Sequence, residues 1–129
     1  MEGTAGEVDE LEYKTHANAL KEQGNELFQA GKNEEAIQVY TQAIDLDPDN
    51  HVFYSNRSAA YMKNDSKSKA LKDAEKCVAL APAWSKGYGR LGAAQQGLKR
   101  FDAAIDTFKK GIELDATNQS LWSLSLIHI

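Results

Sequence analysis

The amino-acid sequence predicts an all-α protein built from three pairs of helices. Two prolines, Pro48 and Pro82, each follow an amphipathic run, and they stand 34 residues apart. A third such run, 111–118, follows after the same interval, with Ala116 at the place of the proline. Self-similarity at a fixed period of about 34 residues is typical of arrays in which each unit is a helix, a turn and a second helix.

The first unit, about 17–50, contains two stretches with helical periodicity. Apolar or small residues recur on one face of each stretch, at Ala17, Leu20, Gly24, Leu27 and Phe28, and then at Ala36, Ile37, Tyr40, Ala43 and Ile44. Gly31 suits the end of the first helix. Asp47 precedes a proline and is therefore disfavoured in helical geometry, which predicts the end of the second helix there.

The second and third units, about 51–84 and 85–118, repeat this pattern. Their apolar faces comprise Tyr54, Ser58, Tyr61, Ala70, Leu71, Ala74, Cys77 and Val78, and then Tyr88, Leu91, Gly92, Ala104, Ile105, Phe108 and Ile112. Small residues fall in phase in all three units, which predicts close approach of the paired helices. They are Gly24, Ser58 and Gly92 in the first helices, and Ala36, Ala70 and Ala104 in the second. Cys77 is in phase with Ala43 and Gly111, so it is expected to be a buried filler and not a reactive thiol.

The two ends of the chain depart from the repeat. Residues 1–12 show no periodicity and are expected to form a disordered leader before a repeat domain at 13–129. Residues 119–129 begin like another first helix and predict a truncated capping helix. This segment is apolar on several sides, which fits a fragment boundary, a non-native tail or a surface for self-association of an otherwise monomeric protein.

Composition excludes several classes of function. The chain has 129 residues and a net charge of -4, which argues against general binding of nucleic acid. It has one cysteine, so neither an intramolecular disulfide nor a cysteine-based zinc site is expected. The acidic N-terminal segment does not resemble a signal peptide, and no apolar run reaches the length of a membrane span. These features favour a cytoplasmic protein without membrane contact.

A glycine motif raises the question of a nucleotide cofactor. Gly87, Gly89 and Gly92 have the G-x-G-x-x-G spacing of dinucleotide-binding loops. That loop must follow a strand, whereas the segment before this one is helical by period, so no cofactor is predicted. Gly92 belongs to the repeat, and Gly87 and Gly89 are interpreted as merely tolerated. His16, His51 and His128 are far apart in sequence and phase, so no metal or catalytic site and no enzymatic activity are predicted.

Polar residues on the first helices predict a different kind of site. Five side chains fall on one face, where the first helices of a superhelical stack would line a groove, and no acid is among them. They are Lys21, Asn25, Asn56, Lys86 and Arg90. Three cations and two amides with free donors are suited to the carboxylates of an extended peptide.

The repeat resembles the tetratricopeptide repeat (TPR) over about residues 17–118, although the proline expected at 116 and the glycine expected at 58 are missing. This resemblance implies a right-handed superhelix of three repeats. In TPR proteins that bind chaperone tails, Lys, Asn, Asn, Lys and Arg form a two-carboxylate clamp at the spacings of the five residues above. The stretches 50–61 and 84–94 are similar to the first TPR domain of the Hop-type organising co-chaperones, and the small glutamine-rich TPR co-chaperones are the alternative.

The resemblance implies binding of the C-terminal Glu-Glu-Val-Asp tail of heat-shock protein 70, with heat-shock protein 90 as a second candidate. On that model Lys21, Asn25 and Asn56 hold the terminal carboxylate, Lys86 takes the aspartate, and Arg90 braces the backbone or the upstream acids. Weaker candidates are an apolar wall for the valine and a cation for a glutamate, namely Phe28, Ala59, Met62 and Lys63. The rival hypothesis is a TPR scaffold that does not recognise this tail.

Overall fold

The computed structural model describes residues 2–115, with side chains from residue 9 onward. All regular structure within this part is helical, in the order α1 (Glu2–Gln29), α2 (Asn33–Leu46), α3 (His51–Lys63), α4 (Lys67–Leu80), α5 (Ser85–Gly97) and α6 (Phe101–Leu114). Consecutive helices pair as α1 with α2, α3 with α4 and α5 with α6. The predicted all-α class and the three helix pairs are thus confirmed. The predicted capping helix at 119–129 lies outside the described residues.

Each pair turns at the same point of the repeat. The turn residue has positive φ in all three units, with 79° at Gly31, 58° at Asp65 and 63° at Lys99. Only the first of these is glycine, the residue that adopts this geometry without steric cost. The backbone amide of the following residue donates to a carbonyl near the end of the first helix, over 2.9 Å from Lys32 to Leu27 and over 2.8 Å in the other two units.

Small residues bring the paired helices together, as the sequence predicts. The Tyr40 ring of α2 lies against Gly24, where an added Cβ would be 2.4 Å from the ring. The Phe108 ring lies against Gly92 in the same way, with a corresponding distance of 2.5 Å. In the second unit Ser58 replaces the glycine, and its buried hydroxyl donates to the Ala70 carbonyl over 2.8 Å. The missing glycine is therefore compensated by a hydrogen bond.

The core runs between the units. One buried cluster joins the first and second units through residues of α1 to α4, among them Ala43, Phe53 and Cys77. Cys77 is fully buried, and burial raises the pKa of its thiol to about 11, with Arg90 opposing the shift. Its predicted role as a small buried filler is confirmed.

An ion pair that the sequence pattern does not reveal connects three helices. The Arg57 guanidinium of α3 donates to both carboxylate oxygens of Asp73 on α4, over 2.8 and 2.7 Å. It also donates to the Thr41 hydroxyl of α2 over 3.1 Å. Tyr54 and Tyr61 flank the guanidinium, with ring centroids 5.8 and 5.7 Å away. This bidentate geometry satisfies two largely buried charges at the junction of the first two units.

The structure differs from the sequence-based expectation at both ends of the array. The segment expected as a disordered leader continues α1, which begins at Glu2. Continuous helix suits its glutamates and leucine, and the ion pair between Lys14 and Glu10 at i, i+4 adds a little support. At the other end Ile105, expected in the packed face of α6, is 52% exposed because α6 packs against α5 alone among the described helices.

Candidate functional site

The site lies on the first helices of the three units. Helix α3 contacts both α1 and α5, so these three helices form one row, and each carries part of the predicted donor set. Lys21 and Asn25 are one turn apart on α1, Asn56 is on α3, and Lys86 and Arg90 are one turn apart on α5. The repeat therefore aligns the five positions along one side of the array.

Two of the predicted residues touch each other across the first two units. The Asn56 amide nitrogen donates to the Asn25 side-chain oxygen over 3.2 Å. The Tyr40 hydroxyl donates to the same oxygen over 2.5 Å. Both lone pairs of this oxygen are thus in use, and the Asn25 amide nitrogen remains as its only other polar group. The nitrogen is a hydrogen-bond donor, so this side chain can donate to a ligand while its oxygen is held in place.

Arg90 occupies an unusual environment for a cation. Its side chain is half-buried, and its Nε donates to the buried Ser55 hydroxyl over 3.3 Å. No acidic side chain in the described part of the chain forms an ion pair with it. Burial lowers the pKa of Arg90, while its proximity to Cys77 and Tyr40 partly opposes the shift. Apart from the bond to Ser55, the guanidinium forms no hydrogen bond with another described side chain, so it keeps donors for an external acceptor.

The two lysines are held less firmly. The Lys21 side chain is partly buried, and its ammonium lies 3.5 Å from the carboxylate of the neighbouring Glu22, which is largely exposed. Lys86 is exposed, with its ammonium 6.0 Å from the centroid of the Trp84 ring. Pairs of this kind on a surface contribute little to stability, so both lysines can turn toward a ligand.

A cavity of about 500 Å³ lies beside Arg90. Its other lining residues are Phe28, Ser58, Ala59, Met62, Lys63 and Ala93. The structure thus brings together all four of the weaker candidates next to one member of the main donor set. The cavity is mainly apolar, with one lysine and one arginine available for acidic groups.

Packing accounts for His51 and for part of the glycine motif. The His51 ring stands edge-on to the Trp84 ring at a centroid distance of 4.7 Å. Within residues 2–115, no three His, Cys, Asp or Glu side chains lie close enough to hold a metal ion. At Gly87 an added Cβ would lie 3.1 Å from the buried Cys77 sulfur, a tight contact that the interpretation of this glycine as merely tolerated does not anticipate. At Gly89 an added Cβ would meet no atom within 4 Å, so that glycine is merely tolerated.

Sequence reasoning missed two residues that hold the donor set in place, Tyr40 and Ser55. Both look like ordinary packing residues, because Tyr40 occupies a core position and Ser55 is a small, fully buried residue. One signal for Tyr40 was available: the in-phase positions in the other units are Ala74 and Phe108, so only the first unit carries a hydroxyl there.

None of the helices in the described region is both long and apolar enough to cross a bilayer.

Comparisons with known proteins agree with this architecture. A family model described as TPR repeat matches residues 24–65, and another described as tetratricopeptide repeat matches residues 85–118. The chain is 49% identical over 105 residues to heat shock protein STI1 of Saccharomyces cerevisiae, which covers 81% of the chain and 18% of the yeast protein. The chain thus spans about a fifth of the length of this relative.

Two solved structures are similar over nearly their whole length. The second TPR of Spaghetti (RPAP3), bound to the HSP90 peptide SRMEEVD, is 32% identical with a TM-score of 0.78 and covers 84% of this chain and 99% of that one. The second TPR domain of human RPAP3, in complex with the HSP70 peptide SGPTIEEVD, is 31% identical with a TM-score of 0.77. It covers 91% of this chain and 98% of that one. With three helix pairs at the period of the repeat, the chain belongs to the tetratricopeptide repeat family.

Proposed function

We propose that this domain is a non-catalytic co-chaperone adaptor of the cytoplasm that binds the C-terminal Glu-Glu-Val-Asp tail of heat-shock protein 70, with heat-shock protein 90 as a second ligand. The yeast relative is the heat shock protein STI1, and both structural neighbours hold peptides that end in this sequence. The groove residues supply the chemistry that such a tail requires.

The observation that carries the proposal is the state of Arg90. A half-buried guanidinium has lost part of its hydration, and here its partner is a neutral hydroxyl. Leaving such a charge without an acid is unfavourable in a folded protein unless a ligand compensates. A bound carboxylate would form charge-assisted hydrogen bonds with it, each worth about 1.5–3 kcal/mol.

In this proposal the donors contact different groups of the peptide. In our proposal Lys21, Asn25 and Asn56 hold the terminal α-carboxylate, because the asparagines are adjacent and the Asn25 oxygen is already occupied, which leaves its amide nitrogen as the donor. Lys86 takes the aspartate side chain, one turn before Arg90. Arg90 then braces the peptide backbone or the acids upstream.

The cavity beside Arg90 suits the residues before the aspartate. Phe28, Ala59 and Met62 provide an apolar wall for the valine, and Lys63 at the rim of this cavity would meet a glutamate. Because the groove is open to solvent and a flexible tail must be ordered, we expect an affinity near the micromolar range, about -8 kcal/mol. Such binding should weaken as the salt concentration rises.

A calorimetric titration tests the proposal with two peptides that end in Glu-Glu-Val-Asp, one a free acid and the other a C-terminal amide. The free acid should bind at least tenfold more tightly, because the amide lacks the charge that Lys21 and the asparagines would hold. Equal binding of the two forms would exclude the clamp and favour a scaffold without specificity for this tail. Peptides with the upstream residues of each chaperone then decide which of the two is preferred.

A further inference from the structure

The first and third units share a packing device but differ in one hydroxyl group. In both, an aromatic ring of the second helix lies against a glycine of the first, as Tyr40 against Gly24 and Phe108 against Gly92. The rings occupy equivalent positions of the repeat, and phenylalanine is sufficient for the packing in the third unit. The hydroxyl of Tyr40 is therefore not required to fill the space between the helices.

The Tyr40 hydroxyl reaches a residue of the proposed site because of this close packing. Tyr40 is 1% exposed, and the absence of a side chain at Gly24 lets its ring lie directly on α1. Asn25 is the next residue, and its side-chain oxygen accepts the hydroxyl proton over 2.5 Å. Burial raises the pKa of Tyr40 to about 12, partly opposed by Arg90, so the hydroxyl stays protonated and can donate at neutral pH.

The direction of the Asn25 amide matters for binding an anion. A primary amide has an oxygen and a nitrogen of nearly equal size, so an unrestrained side chain can present either atom to a ligand. Carboxylates only accept hydrogen bonds, and an amide oxygen facing one would be repelled. In this structure the oxygen is occupied by Tyr40 and Asn56, which leaves the nitrogen for the groove.

We infer that Tyr40 is a positioning residue, which fixes the Asn25 amide so that its nitrogen donates to the terminal carboxylate of the bound peptide. This inference rests on the proposed function and adds a residue outside the groove to it. Tyr40 does not contact the ligand in this scheme. It acts through Asn25 by removing the orientation that would repel a carboxylate.

The variant Tyr40→Phe removes only the hydroxyl and installs the residue found at 108. We expect its affinity for the free-acid peptide to fall about three- to tenfold, as for loss of one hydrogen bond, while the weak binding of the amidated peptide stays the same. If the role of the hydroxyl were purely structural, its removal would weaken binding of both peptides equally. Free-acid affinity equal to that of the unmodified protein would overturn the inference and leave the proposed function standing.

The matched control is Tyr54→Phe, which removes a hydroxyl that donates to the Pro48 carbonyl over 2.8 Å and has no amide side chain as its acceptor. Its effect on stability should resemble that of Tyr40→Phe, but both peptides should bind as they do to the unmodified protein. Preferential loss of free-acid binding in this control as well would overturn the assignment to Tyr40.

A spectroscopic readout separates this inference from the proposed function. The side-chain amide resonances of Asn25 in a ¹H–¹⁵N spectrum of the free domain should shift in Tyr40→Phe, while those of the exposed Asn64 should not. If the unmodified protein failed to discriminate between the peptides, the proposed function would fall, and this shift would still establish that the Tyr40 hydroxyl contacts the Asn25 amide. Unchanged Asn25 resonances would refute the positioning role.

Discussion

The first and third helix pairs are built on the same packing arrangement and offer different groups to the groove. Each has an aromatic ring on a glycine, with Tyr40 on Gly24 in one and Phe108 on Gly92 in the other. The first pair contributes Asn25, a neutral amide fixed by two hydrogen bonds. The third contributes Arg90, a half-buried charge with one weak bond to a hydroxyl. On equivalent helices of the two pairs, Asn25 thus supplies a donor of fixed orientation and Arg90 supplies a positive charge.

The difference shows which positions of the repeat are constrained by the fold and which are available for recognition. At this contact the first helix carries a small residue in every unit, because an added Cβ at Gly24 or Gly92 would overlap a ring. Positions on the groove side differ in charge and length without any change in helix packing. A change in the third pair should therefore affect binding strength most, and a change in the first pair should affect discrimination between ligands.

The largest effect is expected for Arg90→Ala. Loss of a charge-assisted contact of about 1.5–3 kcal/mol should lower the affinity for the free-acid peptide by roughly ten- to hundredfold. The free energy of unfolding should change by less than about 1 kcal/mol, because the deleted charge has no acidic partner in the described structure. Calorimetry with the peptide and urea denaturation measure the two quantities.

The matched control for that variant is Arg100→Ala, at an exposed arginine that precedes α6. It removes the same net charge and should leave peptide affinity within about twofold, because long-range interactions between exposed charges are screened. A comparable loss of affinity in both variants would mean that overall charge attracts the peptide, and that Arg90 has no specific role.

A second pair of variants tests whether the two glycines are equivalent. Gly24→Ala and Gly92→Ala should each lower the free energy of unfolding by about 1–3 kcal/mol, because the new Cβ must displace a ring. Only Gly24→Ala should also weaken binding of the free-acid peptide by folded protein, since it moves the ring whose hydroxyl holds Asn25. Urea denaturation and titration below the unfolding range measure these effects. Loss of binding in both variants would contradict the separation of roles between the two pairs.

Periodicity was sufficient to predict most of the fold. A 34-residue spacing shows which positions of the three units are equivalent. The three helix pairs, the turn at Gly31 and the buried Cys77 therefore follow from the sequence. The five groove positions follow from phase in the same way. Their ligand does not, because phase indicates that side chains share a face but says nothing about their hydrogen-bond partners.

The features that were missed depend on contacts between residues far apart in the repeat pattern. The Tyr40 hydroxyl matters only because it meets Asn25, and the sequence presents it as a core aromatic residue. Arg57 and Asp73 are 16 residues apart on different helices, and neither position has an ionic counterpart that the repeat would reveal. The helix at residues 2–12 was missed for a different reason, since this segment lacks an apolar periodicity and simply continues α1.

The smallest expected effects come from two glycines of α5 that looked alike in sequence. Gly89→Ala should raise the free energy of unfolding by about 0.5–1 kcal/mol, because alanine favours the helix and its Cβ would meet no atom within 4 Å. Gly87→Ala gains the same propensity but places a Cβ 3.1 Å from the Cys77 sulfur, so it should be less stable than Gly89→Ala. Urea denaturation of the two variants measures the difference.

The contact with Cys77 can be isolated by repeating both substitutions in a Cys77→Ala background. Removing the sulfur relieves the crowding at Gly87 and changes nothing near Gly89, so the stability difference between the two variants should disappear there. Persistence of the difference in that background would show that Gly87 is constrained by something other than Cys77, such as Val78, whose methyl group would lie 3.5 Å from the new Cβ. Equal stabilities in the original background would instead mean that the buried sulfur yields without cost, and that both glycines are merely tolerated.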